Sequence, residues 1–495
     1  MEVDSDADSR FLEETRHFLS WFQSLPGATF HSDIAIEDLR GRNAGRGIVA
    51  QADIPADTVL FTIPRSSILC AATSPLKEKL PEIFDLDSDD QDESQEEGDG
   101  ANQNSWTLLI LILIYEHLQG SSSRWKPYLD VLPSTFNTPM FWTPSQLSIL
   151  QASAVSSKIG QAEADEMIAS KILPVIRSHP QIFFPSSATP LSDDQLTQLA
   201  HRMGSTIMSY AFDLEQDMEI PEQLENDDEW EEDREGKTML GMVPMADILN
   251  ADAEFNAHIN HAEDALTAVS LRPIRKGDEI LNFYGPLSSA ELLRRYGYVT
   301  EKHARWDVVE LPWSLVSSTL QSKLQAQSDV WEKVCALVQQ DEEFEEGFVL
   351  ERHSPDPSST GLLEESAEFT SLPDELGEQF KLCLKVCKKV TDSKNDIAVR
   401  ALNDKDWRKR LYLETMLEAV TRREKEYGTT LEQDDQLLRA NLSDQREKMA
   451  VWVRRGEKRI LREARAWITT QLEEIRNRPV DQPQDEGRAA KRRRI

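Results

Sequence analysis

Cysteine is scarce in this chain. There are four in 495 residues, Cys70, Cys335, Cys383 and Cys387. So few, so scattered, cannot form a disulfide framework, and a reducing compartment is expected. Cys383 and Cys387 stand four apart in FKLCLKVCKKV, the spacing of one helix face. No histidine or further cysteine lies near them in sequence, so they read as core thiols rather than half of a zinc site. Long apolar runs are lacking too. The most apolar stretch, WTLLILILIYEHL at 106–118, is shorter than the roughly 20 residues a bilayer requires. A buried helix is expected there, and no membrane partner. The first ten residues, MEVDSDADSR, are acidic rather than a basic segment before an apolar one, so no secretory leader is expected. No internal repeat is visible.

Positive charge is also deficient. Lys and Arg number 55 against 88 Asp and Glu, a formal net charge of -33. Phosphate backbones require a basic face, so direct nucleic-acid binding is not expected. A Lys/Arg-rich protein partner suits this balance through long-range attraction.

The length allows roughly two to four domains. Residues 11–22 carry a helical apolar period. GIVAQADIPADTVLFTIPRSSILC at 47–70 reads as strands interrupted at Pro55 and Pro64. Residues 85–104 are acidic and free of aromatics, the composition of a disordered loop. Helical patterns run from Trp106 to about Asp213. A second acidic loop covers 215–237, and short strands dominate 238–309. From Trp313 onward the pattern is almost entirely helical, broken at 353–361 by HSPDPSSTG. The sequence ends in AAKRRRI after a polar, proline-containing linker.

Three segments hold residue types able to do chemistry. In RNAGRGIVA at 42–50, two glycines flank Arg46 before an apolar strand. Glycine lets a backbone approach a ligand closely, and a plain turn explains the segment equally well. In GMVPMADILNADAEFNAHI at 241–259, Asp247, Asn250, Asp252 and Asn256 crowd a short region. These side chains either fix turns or hydrogen-bond a ligand. The carboxylates lack an EF-hand rhythm, and His258 and His261 have no zinc-like partners, so no metal is expected. In EILNFYGPLSSAELLRRYGYV at 279–299, Tyr284 ends a strand at a Tyr-Gly corner and Tyr296 follows on a helical pattern. A phenol at such a bend is a packing plug or a catalytic group.

Taken in this order, with an insert between the first and second, the segments resemble the SET-domain methyltransferases. GRG is similar to the first cofactor loop, MADILNAD to the DxxNH segment, and DEILNFYG to the strand that delivers the catalytic tyrosine. The long insert and helical C-terminal part resemble the branch that includes the Rubisco large-subunit methyltransferase. SYAF at 209–212 and ADILNADAEFNA resemble its fungal members that methylate ribosomal lysines.

The resemblance implies an α+β SET fold of small twisted sheets with a pseudoknot, a helical insert and an all-α C-terminal substrate-binding domain. The implied limits are 18–310 for the SET domain with its insert at about 75–237, 311–475 for the helical domain, and 476–495 for a disordered basic tail. The threading would set ILNAD beside the Tyr284 strand. The implied cofactor is S-adenosyl-methionine. Ala44, Gly45, Arg46 and Gly47 would hold its amino-acid end through backbone, Asn250 and Ala251 its adenine or carboxylate region, and Tyr210 and Tyr296 would line its pocket. Ala251 stands where the family usually has histidine, which removes a side-chain contact there. Tyr284 is the implied catalytic residue. Trp125, Ala211, Phe212 and Asp213 would line the substrate channel. The implied partner is a basic protein substrate, a ribosomal protein of the large subunit, met by a monomer.

Elementary chemistry states what such a site must supply. A free lysine with pKa about 10.4 is neutral only about one part in a thousand near neutrality, a cost of roughly 4 kcal/mol. An apolar channel favours the neutral amine, and alignment contributes roughly 7–11 kcal/mol at its best. Tyr284 need only orient the amine. The competing readings are a SET-like binding module without activity, transfer to a histidine, and a non-ribosomal target such as a nuclear protein. The acidic loops read either as solvated segments or as attractors of a basic substrate. The terminal cluster reads as a solubilising tail or a nuclear import signal, which places the expected location in the nucleus, with cytoplasm as a second compartment.

Overall fold

Alternation along the strands sets the first layer of the fold. In ALTAVS, every second side chain is buried, whereas RGIVA is buried almost throughout because elements pack on both of its faces. The computed structural model describes residues 5–42, 44–84, 99–185, 189–215, 238–391, 396–440 and 442–477. The acidic segments at 85–98 and 216–237 and the basic tail lie outside the described residues.

The strands of the first part are β1 (Thr29–Phe30), β2 (Ile34–Asp38), β3 (Arg46–Ala50), β4 (Val59–Pro64), β5 (Leu69–Cys70), β6 (Ala211–Glu215) and β7 (Thr238–Met242). Those that follow are β8 (Asn250–Ala251), β9 (Ala257–His261), β10 (Ala265–Ser270), β11 (Glu279–Asn282), β12 (Val308–Pro312) and β13 (Gly347–Glu351). They form small sheets ordered β1-β4-β10-β9, β2-β3-β11-β8, β5-β7-β6 and β12-β13. The second sheet holds the expected threading. β11 pairs antiparallel with β3 on one side and parallel with β8 on the other, with Leu281 opposite Asn250 and Asn282 opposite Ala251.

Helix Ser5–Ser24 covers the core of the first part with Phe18 and Phe22, both fully buried. The apolar run of 106–118 lies in helix Asp99–Gln119, whose residues Leu109 to Tyr115 are all buried. Buried side chains of this size contribute about 1.5–3 kcal/mol each. Among the described residues, no helix is long and apolar enough to cross a membrane. A separate core of Val309, Trp313, Phe380, Met416, Ile460 and their neighbours fills the C-terminal helical part, and it contains Cys383 and Cys387.

Two expectations need correction. The helix expected to reach Asp213 stops at Tyr210, and Ala211, Phe212 and Asp213 are strand residues of β6. AFDL continues an apolar helical pattern, but pairing with β7 across five registers wins. The C-terminal part is also interrupted by β13, which pairs with β12 over its whole length.

Candidate active site

The site begins at the end of β11. Gly285 has φ +103, a conformation a Cβ disfavours, and it turns the chain directly after Tyr284. The Tyr284 hydroxyl donates to the Leu249 carbonyl at 2.9 Å. Its ring stacks on Tyr296, with centroids 4.7 Å apart and planes at 19°. Tyr298 meets Tyr296 edge-on and donates to the Ala251 carbonyl at 3.4 Å.

Two helix ends bring these rings together. Helix Ser289–Tyr296 starts on the Ser288 side chain and ends at Tyr296. Helix Asp193–Tyr210 starts at a Ser192–Gln195 capping box and ends at Tyr210. The Ser209 hydroxyl donates to the Arg295 carbonyl at 2.7 Å, tying the two ends together. Tyr284, Tyr296, Tyr210 and Tyr298 are all half-buried. Burial pushes the phenols up, Tyr210 to about 12, so all four stay neutral at physiological pH.

Asp247 lies under this cluster. Tyr128, fully buried, donates to its Oδ2 at 2.5 Å, while Oδ1 is buried with no hydrogen-bond partner. Burial pushes its carboxyl up to about 7 against the opposing Tyr128 bond. An orphaned carboxylate oxygen at such a place fits a donor from a bound molecule. Neither Tyr128 nor Tyr298 was singled out by sequence, and Asp247 was read only as one of a polar group.

The opposite wall is the segment 44–47. Asn250 Nδ2 donates to the Arg46 carbonyl at 3.1 Å and to Glu279 Oε1 at 2.7 Å. Glu279 was not identified from sequence. A Cβ on Gly47 would come within 2.4 Å of Leu39 Cδ1, 2.8 Å of Asn250 Nδ2 and 2.8 Å of Glu279 Oε1, so only glycine allows this approach. Beside Gly45, by contrast, nothing lies within 4 Å of a built Cβ. That open space next to the backbone of Ala44 and Gly45 fits the amino-acid end of a cofactor. The Arg46 side chain faces away. It donates to Thr15 Oγ1 at 2.9 Å and the Val131 carbonyl at 2.9 Å, and lies over the Phe11 ring. Arg46 thus offers the site its backbone only.

The remaining sequence candidates separate. Ala211 and Phe212 follow Tyr210 and are half-buried. Asp213 is exposed on β6, a strand at the edge of its sheet. Trp125 is buried in the core, its indole N–H bonded to the Ser67 carbonyl at 2.8 Å. Asn256 is structural, accepting from Leu281 N and donating to the Glu279 carbonyl. Asp252 pairs with Lys302. Among the described residues, no three His, Cys, Asp or Glu side chains gather as metal ligands.

Comparison with known proteins bears on this geometry. Residues 45–285 match the SET domain family, and 319–461 match the Rubisco LSMT substrate-binding family. The chain is 32% identical over 363 residues to ribosomal lysine N-methyltransferase 4 of Saccharomyces cerevisiae, covering 71% of this chain and 69% of that protein. It is 28% identical to N-lysine methyltransferase SETD6 of Homo sapiens, covering 85% of this chain and 84% of that protein. The solved structure of Rubisco LSMT bound to AdoMet shares the fold, with TM-score 0.60 at 20% identity over 93% of each chain.

Proposed function

The chain belongs to the SET-domain lysine N-methyltransferases with a Rubisco LSMT-type substrate-binding domain, and from that premise we propose that it methylates a lysine of a basic ribosomal protein of the large subunit. It is an S-adenosyl-methionine-dependent protein-lysine methyltransferase. The observation that carries the reading is the convergence of Tyr284, Asn250 and the 44–47 backbone from three distant stretches of chain. The ribosomal target rests on the name of the yeast relative and on the net charge of -33, which attracts basic proteins.

When bound, S-adenosyl-methionine supplies a methyl group activated by a sulfonium. The protein's part is to hold and orient. The backbone of Ala44, Gly45, Arg46 and Gly47 holds the amino-acid end of the cofactor. Asn250, fixed by Arg46 and Glu279, and Ala251 hold its adenine or carboxylate region. Tyr210 and Tyr296 line the pocket, and Ala211 and Phe212 lead into it. The half-buried phenols lower the dielectric around the lysine, which favours its neutral amine.

Asp247, bonded to the buried Tyr128, carries a carboxyl pushed up to about 7 by burial, and we infer that its titration sets the charge against which the lysine binds. Tyr284, its own proton committed to Leu249, offers lone pairs that orient the amine.

The test is transfer of labelled methyl groups to purified large-subunit ribosomal proteins, followed by mass spectrometry of the modified residue. Label on a lysine of a basic ribosomal protein supports the proposal. Label confined to non-ribosomal proteins removes the ribosomal target and leaves the lysine chemistry. Label on histidine overturns the choice of nucleophile.

A further inference from the structure

A cavity of about 470 Å³ lies between the insert and the C-terminal helical part. None of the tyrosines of the candidate active site lines it. Its walls carry Arg202 and His117 from two insert helices, Arg446 from helix Gln445–Asn477, and Phe136, Phe141 and Leu199. No Asp or Glu is among its lining residues, in a chain with 33 more acidic than basic groups. Among the described residues, neither arginine forms an ion pair. The Arg202 guanidinium lies 3.1 Å and 3.3 Å from the two ring nitrogens of His117. Arg446 donates to the Phe141 carbonyl at 2.9 Å, the Phe136 carbonyl at 3.1 Å and Gln146 Oε1 at 3.3 Å, and its remaining N–H groups are open to an anion. The rings of Phe136 and Phe141 stack 5.8 Å apart at 19°.

We propose that this cavity binds a small aromatic phosphate, with the phosphate between Arg202 and Arg446 and the ring against Phe136, Phe141 and Leu199. Its volume falls in the range of small-molecule sites. Planar guanidiniums match phosphate oxygens in geometry and charge. Two arginines suit a dianion better than a single carboxylate, and the His117 imidazole, held neutral by burial and by Arg202, serves as a hydrogen-bond partner. The hydroxyls of Ser134 and Thr135, also in the wall, add neutral donors. Burial already lowers the pKa of Arg202, with no carboxylate acting against it, so an arriving anion meets an uncompensated cation. Because Arg446 stands at the start of the long C-terminal helix, the bound anion bridges that helix to the insert.

The probe is phenyl phosphate, titrated calorimetrically into the full chain saturated with S-adenosyl-homocysteine, with benzoate and inorganic phosphate as comparisons. One site is expected for phenyl phosphate, with affinity about tenfold or more above either comparison. Arg202→Gln should abolish it with an unchanged melting temperature and unchanged S-adenosyl-homocysteine affinity. Arg446→Lys, which keeps the charge but not the fork, should weaken it and serves if the first variant misfolds. No binding at millimolar phenyl phosphate overturns the proposal. So does equal affinity for inorganic phosphate, or full binding in both variants. The readout needs no methyl transfer, so its failure leaves the methyltransferase reading standing.

Discussion

Tyr284 and Leu249 are 35 residues apart, yet the phenol of one bonds the carbonyl of the other at 2.9 Å. The parallel β8–β11 pairing makes this contact, since it sets Asn250 opposite Leu281, three residues before the corner. The bond fixes the direction of the hydroxyl. Its proton points to Leu249, which leaves its lone pairs free to accept, and in the proposed mechanism they orient the lysine amine.

Removing that hydroxyl should therefore act on rate rather than folding. Tyr284→Phe keeps the stacking on Tyr296 and loses one hydrogen bond, worth about 1 kcal/mol to stability. The expected outcome is a fall in kcat of about 10²-fold or more, by analogy with loss of one preorganised group elsewhere, with cofactor affinity nearly unchanged. Single-turnover methyl transfer and calorimetric titration of S-adenosyl-homocysteine check it. Unchanged kcat would remove Tyr284 from the chemistry.

Asp247 should give substrate binding a pH dependence. Its carboxyl is pushed up to about 7 by burial, so it ionises as pH rises from 6 to 8. The charged form holds an ammonium better, and KM for the protein substrate should fall across that window. Asp247→Asn should flatten the profile and raise KM at pH 8 about tenfold, the scale of a hydrogen bond to a charged group. Steady-state kinetics on both proteins from pH 6 to 9 decides it.

What the sequence offers of this site comes chiefly through family resemblance. The glycines at 44–47 and Asn250 sit at strand ends, where local pattern alone reads as turns, and the family resemblance is what marks them as a cofactor site. Tyr284 is marked by the glycine that turns the chain. What local pattern does not carry is partnership across distance. Glu279 clamps Asn250 from 29 residues away, and Tyr128 reaches Asp247 across 119. Nothing near either residue marks it. The threading of β8 beside β11 is likewise a long-range pairing, and here it comes from family resemblance rather than periodicity. Trp125 is a different case: the resemblance implies channel lining, whereas its buried indole N–H is satisfied by the Ser67 carbonyl.

Gly47 should tolerate no side chain. In Gly47→Ala, the new Cβ would overlap Leu39 and the Asn250–Glu279 pair. Overpacking of this kind costs typically about 1–3 kcal/mol, and it displaces the Asn250 amide from the Arg46 carbonyl. A lower melting temperature together with weaker S-adenosyl-homocysteine binding is expected. Loss of stability with cofactor affinity intact would detach Asn250 from the cofactor.

The basic cluster at 491–494 lies outside the described residues, and its role is argued from charge alone. We propose that it directs part of the protein to the nucleus, where ribosomal proteins are available before assembly is complete. A fluorescent fusion lacking Lys491 to Arg494 should lose nuclear signal relative to the intact protein. The same cytoplasmic distribution for both would remove the tail as an import signal.

The last prediction concerns the seam between the insert, the SET core and the C-terminal helices, where two carboxyls are buried. Glu457 accepts from Ser153 Oγ at 2.6 Å and from the Tyr427 hydroxyl at 2.7 Å. Asp307 accepts the Ser289 N–H at 2.9 Å. Burial pushes Glu457 up to about 7, with Asp307 adding repulsion against the pull of Arg423. Burial likewise pushes Asp307 to about 6, opposed by the Ser289 bonds, Arg352 and Arg459. Both folded pKa values lie above the unfolded ones, so between about pH 4 and 7 the folded state binds more protons than the unfolded chain. This pair therefore makes stability fall as pH rises through that window and level off above it. Glu457→Gln, neutral throughout, should flatten the fall between pH 5 and 7. Its lost acceptor should cost about 1–3 kcal/mol at pH 5, where the wild-type carboxyl is protonated, and less at pH 8. Denaturant unfolding of both proteins at pH 5, 6, 7 and 8 measures the difference. A wild-type stability that instead rises from pH 5 to 7 in parallel with the variant would mean that other groups dominate and Glu457 does not titrate in this range.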